Sequence, residues 1–273
     1  MTRRRSAFAL PLVSVVLVWL SACSSYGSNA NAGSGGGSSP AASTGLTVFA
    51  ASSLTGAFTA IGKTFEQQHP GTHVTFNFGA SDDLAGQIES EGTADVFASA
   101  SPTWMDAVQK QPGVNDRSDF AQNTLIVIVP QGNPANIKSI DDLANSGVQL
   151  VLAAKGVPVG DYVREALGNA GIAKQAEANV VSNEEDDASV VQKISTNEAD
   201  AAIVYSSDIA GPSGAGVESI AIPDSDNVIA TYPIAIVAGA SQSQLAAQFV
   251  REVTGSSGES VLKTYGFLPP PTG

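Results

Sequence analysis

The sequence is poor in cysteine, histidine and basic residues. Its 273 residues include one cysteine and two histidines, and 13 lysine and arginine residues stand against 26 aspartate and glutamate residues. A single cysteine excludes an internal disulfide. The net charge of −13 disfavours contact with nucleic acid or an anionic membrane surface, so neither is expected to bind the folded part. No glycine-rich phosphate loop followed by lysine is present.

The scarcity of histidine also argues against a serine hydrolase. Ser52 and Ser53 follow an apolar run in LTVFAASSLTGAF, where a nucleophile could stand, but a nucleophilic serine needs a base, usually histidine. His69 and His73 lie in QQHPGTHV, which enters a strand at its amino end. That end of the sheet is opposite the serines, so no triad is expected and the chain is predicted not to be an enzyme.

The first 45 residues predict export and a tether. MTRRRS is basic, AFALPLVSVVLVWL is apolar but short for a membrane span, and LSAC, which ends at Cys23, resembles the lipobox of bacterial lipoproteins. This resemblance implies a signal peptide over 1–22, lipid attachment at Cys23 and a place on the outer face of the cell membrane. An ordinary secretory peptide with an incidental cysteine is the alternative. The glycine- and serine-rich segment 23–45 is predicted to be a flexible tether.

From Leu46 onward, apolar runs of strand length alternate with helical patterns. LTVFA, HVTFNFG and DVFAS each precede a helical segment, and VQLVLAA, ANVVS and DAAIVY begin a second such series. In the first helix, Phe58, Ile61, Gly62 and Phe65 share one face. This alternation predicts an α/β fold with mixed, mostly parallel sheets flanked by helices.

Two α/β series predict two lobes with a ligand cleft between them. TLIVIVP and YPIAIVAG are the expected crossing strands, which gives one discontinuous lobe over 46–128 and 231–273 and a second lobe over 129–230. Ligands in open α/β sheets bind beyond the carboxyl ends of the strands, beside helix N-termini.

Several strand ends carry candidate donors for an anion. They are Ser53, Ser81, the backbone N–H groups of Val159 and Gly160, the turn SNEEDDA and Tyr205. Each of these features alone is weak evidence for an anion site, because a serine before a helix is usually only a helix cap. Together they describe N–H and O–H groups that converge from helix starts, which can hold an anion without a cation. EEDD could instead belong to a metal site, but carboxylates in a first helical turn complement the helix dipole without metal.

The chain resembles the molybdate-binding proteins of ABC-type uptake transporters, from about Leu46 to Gly273. The order and spacing of TVFAASSLT, FGASDDLAGQIESEGTADVFASA, WMDAV, VPVGDYVREAL, NEADAAIVYSSD, YPIAIV and YGF carry the resemblance. It implies a two-lobed (type II) periplasmic-binding-protein fold and a monomer without a cofactor. Such a protein captures molybdate, and also tungstate, for a membrane permease. A protein of the same architecture for sulfate or another oxyanion is the alternative, and an exported hydrolase is a third class.

The resemblance also implies which residues hold the anion. The family uses two serine hydroxyls, a tyrosine hydroxyl and main-chain amides, which match Ser53, Ser81, Tyr205 and the amides of Val159 and Asp187. Ser52 is the less favoured neighbour of Ser53. The family commonly has an apolar side chain where this chain has Asp187. Because a carboxylate aimed at a dianion would repel it, this assignment requires the Asp187 side chain to turn outward.

A cavity of donors alone would also select among anions. Hydrogen phosphate carries a proton that needs an acceptor, and an unpaired proton costs about 1–3 kcal/mol. Sulfate has the charge of molybdate but is smaller, so cavity size must separate them. Tungstate is nearly the same size as molybdate and should bind as well.

Overall fold

The computed structural model describes residues 44–210 and 214–272. The predicted signal peptide and Cys23 lie outside these residues, as does nearly all of the predicted tether, so these three assignments stay predictions. Within the described ranges, no helix is both long enough and apolar enough to cross a membrane.

Strands and helices alternate along the described chain, as the sequence predicts. The first series is β1 (Thr44–Ala51), α1 (Thr55–Gln68), β2 (Thr72–Gly79), α2 (Ser81–Glu91), β3 (Val96–Ala98), α3 (Pro102–Lys110) and β4 (Val114–Pro130). The second is β5 (Leu150–Ala153), α4 (Pro158–Asn169), α5 (Ala173–Ala178), β6 (Val180–Glu184), α6 (Asp187–Ser195), β7 (Ala201–Tyr205), β8 (Val217–Ala221), β9 (Ile229–Val237), α7 (Ser243–Thr254) and α8 (Ser256–Thr264). Short 3₁₀ segments cover Ser52–Leu54, Ile140–Ala144 and Ser206–Ile209.

The strands form two parallel groups that two longer strands connect. Their order is β2-β1-β3-β9-β4-β7-β5-β6, and β8 also pairs with β4. β1 is parallel to β2 and β3, and β5 is parallel to β6 and β7. Every antiparallel pair contains β4 or β9. Each group is therefore parallel, as predicted, and the antiparallel pairs come from the two connecting strands.

β4 is longer than the sequence analysis predicts. Residues 114–124 pair with β9, whereas 125–130 pair with β7 and β8. Only the apolar half, TLIVIVP, was predicted. The polar half has no apolar periodicity because two irregularities interrupt its register, and most of its early side chains face solvent. The short elements β8 and α5 are likewise absent from the sequence prediction.

The buried face of α1 confirms the predicted helical periodicity. Phe58, Ile61, Gly62 and Phe65 are all buried. Both phenylalanine rings meet the ring of Phe249 on α7 edge-on, with centroid distances of 5.9 and 5.4 Å. An added Cβ at Gly62 would lie 2.6 Å from the Phe76 ring, so glycine allows α1 to approach β2 closely.

A buried polar network lies where β4 changes partners. Asn123 is fully buried, and its Nδ2 donates to Ser207 Oγ at 2.8 Å and to Tyr232 Oη at 3.4 Å. Its Oδ1 accepts from Ser206 Oγ at 2.9 Å. The Tyr232 hydroxyl also lies 3.0 Å from Ser53 Oγ. One amide side chain thus connects β4, β9 and the 206–209 turn, and reaches the end of β1 through Tyr232.

Replacing Asn123 with alanine should destabilise the protein, because it leaves buried hydroxyls without their partner. We expect Asn123→Ala to lower the free energy of unfolding by about 1–3 kcal/mol in urea denaturation. Asn115→Ala, at an exposed position of the same strand, should change it by less than about 0.5 kcal/mol. Equal losses in the two variants would contradict a stabilising role for the network.

Candidate functional site

Four of the five predicted anion ligands line one small cavity. Ser81, Val159, Asp187 and Tyr205 form its wall together with Ser52. These residues come from both strand–helix series, although they are far apart in the chain. Folding therefore brings together the donor groups that the sequence pattern singles out.

Three helix N-termini meet at this cavity. Ser81 is the first residue of α2, Val159 is the second residue of α4, and Asp187 is the first residue of α6. The N–H groups of a first helical turn have no partner within the helix. They carry partial positive charge, so their convergence favours an anion.

The start of α4 depends on its local sequence. Pro158 occupies the first helical position, where its missing N–H is not needed and its fixed φ suits the helix. An added Cβ at Gly160 would lie 2.1 Å from the carbonyl oxygen of Ala154. Only glycine allows this first turn to lie against the end of β5, and this close packing places the Val159 amide at the cavity.

Tyr205 provides an unused donor. It ends β7, its side chain is 1% exposed, and its hydroxyl has no hydrogen-bond partner in the described part of the chain. Burial raises the pKa of this hydroxyl well above its usual value, so it stays protonated. A buried hydroxyl without a partner costs about 1–3 kcal/mol. An acceptor atom in the cavity would remove that cost.

The donors at the cavity are uncharged. Ser81 Oγ accepts from the Ala100 N–H at 3.0 Å, which leaves its own proton free to donate. Of the residues in the described ranges, neither a lysine nor an arginine lines this cavity. Lys155, the basic residue closest in sequence to the α4 turn, is exposed. Arg164 donates to the carbonyl oxygens of Ala153 and Gly160 and contacts Glu177.

The structure separates the two neighbouring serines. Ser53 Oγ lies 3.0 Å from Tyr232 Oη, and Ser53 lines a larger neighbouring cavity instead of the small one. Ser52 lines both cavities. Sequence reasoning favoured Ser53 and passed over Ser52. The two serines share a 3₁₀ turn, and the side that each one faces depends on packing. Two consecutive serines in a sequence therefore do not reveal which of them faces the small cavity.

The Asp187 side chain points inward, contrary to the condition set by the sequence analysis. It is 3% exposed. Ser52 Oγ donates to its Oδ1, which also accepts from the Ala188 N–H at 3.0 Å. The reason is helical position: Asp186 caps α6 by accepting from the Ser189 N–H at 2.7 Å. The next residue therefore falls on the buried face of α6, with Val190, Val191 and Ile194.

Asp187 forms a pair with a second buried carboxyl. Its side chain hydrogen-bonds that of Asp208, and burial raises the pKa of Asp187 to about 6 although the Ser52 hydrogen bond opposes this. Burial, and then the charge of Asp187, raise the pKa of Asp208 well above its usual value. Two carboxyl groups in contact cannot easily both ionise. The pair therefore keeps a proton at neutral pH.

The raised pKa values make the stability of the protein pH-dependent. A carboxyl group that binds its proton more tightly in the folded than in the unfolded protein stabilises the fold. This stabilisation is complete below the pKa of the group in the unfolded protein, which is about 4. This contribution should decrease as pH rises through about 6. In urea denaturation of the ligand-free protein, Asp187→Asn should therefore lose less stability than the wild type between about pH 5 and about pH 7.5. Glu185→Gln, at an exposed neighbouring position, should follow the wild type. Parallel curves for all three proteins would contradict this.

Comparison with known proteins defines the class. The profile of the family described as "Bacterial extracellular solute-binding protein" matches residues 46–268, so the chain belongs to that family. Within it, the chain is 39% identical to the Mycobacterium tuberculosis protein named "Molybdate-binding protein ModA" over 261 residues, which cover 95% of this chain and 97% of that protein. The family resemblance predicted from the sequence motifs is confirmed.

Solved structures give the fold. The periplasmic molybdate-binding protein of Azotobacter vinelandii matches with a TM-score of 0.73 at 19% identity, over 83% of this chain and 100% of that one. The sulfate-binding protein SubI of Mycobacterium tuberculosis H37Rv matches with a TM-score of 0.73 at 17% identity, over 83% of this chain and 87% of that one. The chain therefore has the mixed α/β fold of periplasmic binding proteins, as predicted.

Proposed function

We propose that this chain is the molybdate-binding component of an ABC transporter. It captures the oxyanion outside the cytoplasm and presents it to the membrane permease, and it performs no chemistry. The observation that carries the proposal is the buried, unpartnered Tyr205 hydroxyl in a cavity where three helix N-termini meet. The 39% identity to a protein named for molybdate binding supports this choice of ligand.

Neutral donors suit this task. Hydrogen bonds to an ionised oxygen are about twice as strong as those between neutral groups, and they strengthen further where water is excluded. Tyr205 and Ser81 supply hydroxyl protons and Val159 supplies an amide, with Ser52 beside them and Ser53 in the adjoining cavity. All contacts would be to the oxygens of the anion. Tungstate, which has nearly the same size and charge, is included in the proposal.

A panel of anions tests the function directly. At about a hundred times the dissociation constant, a bound anion should stabilise the protein by roughly 2.7 kcal/mol. We expect molybdate and tungstate to raise the melting temperature, and sulfate and phosphate to leave it nearly unchanged at equal ionic strength. A shift with sulfate but not with molybdate would instead identify a sulfate-binding protein of the same fold.

Tyr205→Phe separates binding from folding. The variant removes a hydroxyl that has no partner among the described residues, so its melting temperature without anion should not fall. Loss of one hydrogen bond to a charged ligand should weaken molybdate binding by about 1.5–3 kcal/mol, or roughly tenfold to a hundredfold. This is measured by titration calorimetry.

Tyr162→Phe is the matched control for this variant. It removes the same atom from a ring whose centroid is 6.4 Å away and which does not line the cavity. Unchanged affinity in Tyr205→Phe, or equal losses in the two variants, would remove Tyr205 from the site.

Lobe closure is part of the proposal. We assign one lobe to 46–128 and 231–273 and the other to 129–230. Two contacts between these ranges support a closed arrangement: Trp104 Nε1 donates to the Gly156 carbonyl at 3.0 Å, and Ser52 Oγ donates to Asp187. The change of partner along β4, between Thr124 and Leu125, is a natural position for a hinge.

Attachment to the membrane is also part of the proposal. We assign lipid modification to Cys23 after removal of residues 1–22, on the basis of LSAC and the basic and apolar segments before it. The glycine- and serine-rich segment 23–45 would then let the folded part move away from the bilayer toward the permease.

A further inference from the structure

The cavity contains a group that a site built only of donors does not need. Asp187 lines the cavity beside Tyr205, and it also lines the larger neighbouring cavity together with Asp208, with which it interacts. The unpartnered Tyr205 hydroxyl points independently to a ligand at this place. An acidic pair therefore lies in the wall of a site proposed for a dianion, and its charge must be explained.

The hydrogen bonds around the pair indicate that it holds a proton. Asp187 Oδ1 accepts from Ser52 and from the Ala188 N–H. Asp208 Oδ2 accepts from the Tyr205 N–H at 2.8 Å. The Asp208 side chain also hydrogen-bonds that of Ser207. Asp187 and Asp208 interact as hydrogen-bond partners, and two carboxyl groups can do so only if a proton lies between them. The pair then carries one negative charge instead of two.

No cation compensates this charge among the described residues packed around the pair. The ionisable groups that act on Asp187 and Asp208 are Asp186 on α6, Tyr205 on β7 and Tyr232 on β9. Further along α6, Lys193 contacts Glu184 and Glu198. On β8, which packs against α6, Glu218 accepts from Gln131 and the Gly132 N–H. The shared proton is therefore what limits the negative charge beside the cavity.

We propose that Asp187 and Asp208 are a proton-holding pair of the anion site, and that the dianion binds together with a proton shared by their carboxyl groups. This inference rests on the proposed function. A dianion beside the pair favours its protonated form, and by reciprocity the proton favours the anion. Above the pH at which the ligand-free pair loses its proton, binding takes one up from solvent. The affinity then falls as pH rises.

Calorimetry can count this proton. Molybdate at micromolar concentration is titrated into the wild-type protein between about pH 6.5 and about pH 9, in two buffers with different ionisation enthalpies. We expect uptake to approach one proton per anion at the alkaline end. Over the same range the dissociation constant should increase by up to about tenfold per pH unit, the limit for one linked proton.

Two variants make the test specific. Asp187→Asn keeps the shape but leaves Asp208 without a carboxyl partner, so we expect no proton uptake and less than about a twofold change in affinity across the range. Glu185→Gln removes one charge from the exposed side of the same turn and should keep the wild-type pH dependence. Melting curves without anion verify that both variants fold.

The outcomes distinguish this inference from the proposed function. Binding of molybdate by the wild type without proton uptake, or a slope that persists in Asp187→Asn, would overturn the proton-holding pair and leave the molybdate assignment intact. Absence of molybdate binding at every pH would overturn both. Proton uptake that occurs in the wild type and in Glu185→Gln but not in Asp187→Asn supports the assignment of Asp187 and Asp208 as a proton-holding pair.

Discussion

The site depends on one constraint: polar groups removed from water must find partners. At the cavity, the first turns of three helices and a tyrosine hydroxyl present donors that the described protein leaves incompletely satisfied. Each buried donor without a partner has a free-energy cost. That cost becomes binding energy when an anion supplies acceptors. The donors of the proposed anion site are thus uncharged groups in a chain with a net charge of −13, and an anion can bind there because short-range hydrogen bonds outweigh screened surface charge.

The same constraint explains how the two strand groups are connected. β4 and β9 run antiparallel between them, and where β4 exchanges partners the regular ladder ends. Asn123 occupies this point fully buried, and its amide bonds to hydroxyl groups on β9 and on the 206–209 turn. A polar side chain here provides donors and acceptors that an apolar residue could not. The connection therefore combines a long β4–β9 ladder with a buried polar side chain at the point where the ladder ends.

Asp187 occupies a position that helix packing buries, and its carboxyl group adds a titratable charge to the site. Because Asp186 takes the cap of α6, the following residue lies on the buried face. An apolar residue there would only pack. A carboxyl beside an anion must be neutralised, and in the proposed proton-holding pair the proton shared with Asp208 would do this.

The sequence by itself determined the α/β class, the buried face of α1, the family and most of the residues at the cavity. These features depend on periodicity, on strand-to-helix junctions and on motif order, which are local or nearly so. Tertiary structure alone decided that Ser52 lines the small cavity, that the polar half of β4 is a strand, and that the Asp187 carboxyl turns inward onto Asp208. Each of these depends on partners more than twenty residues away in the chain, and no local pattern encodes such contacts.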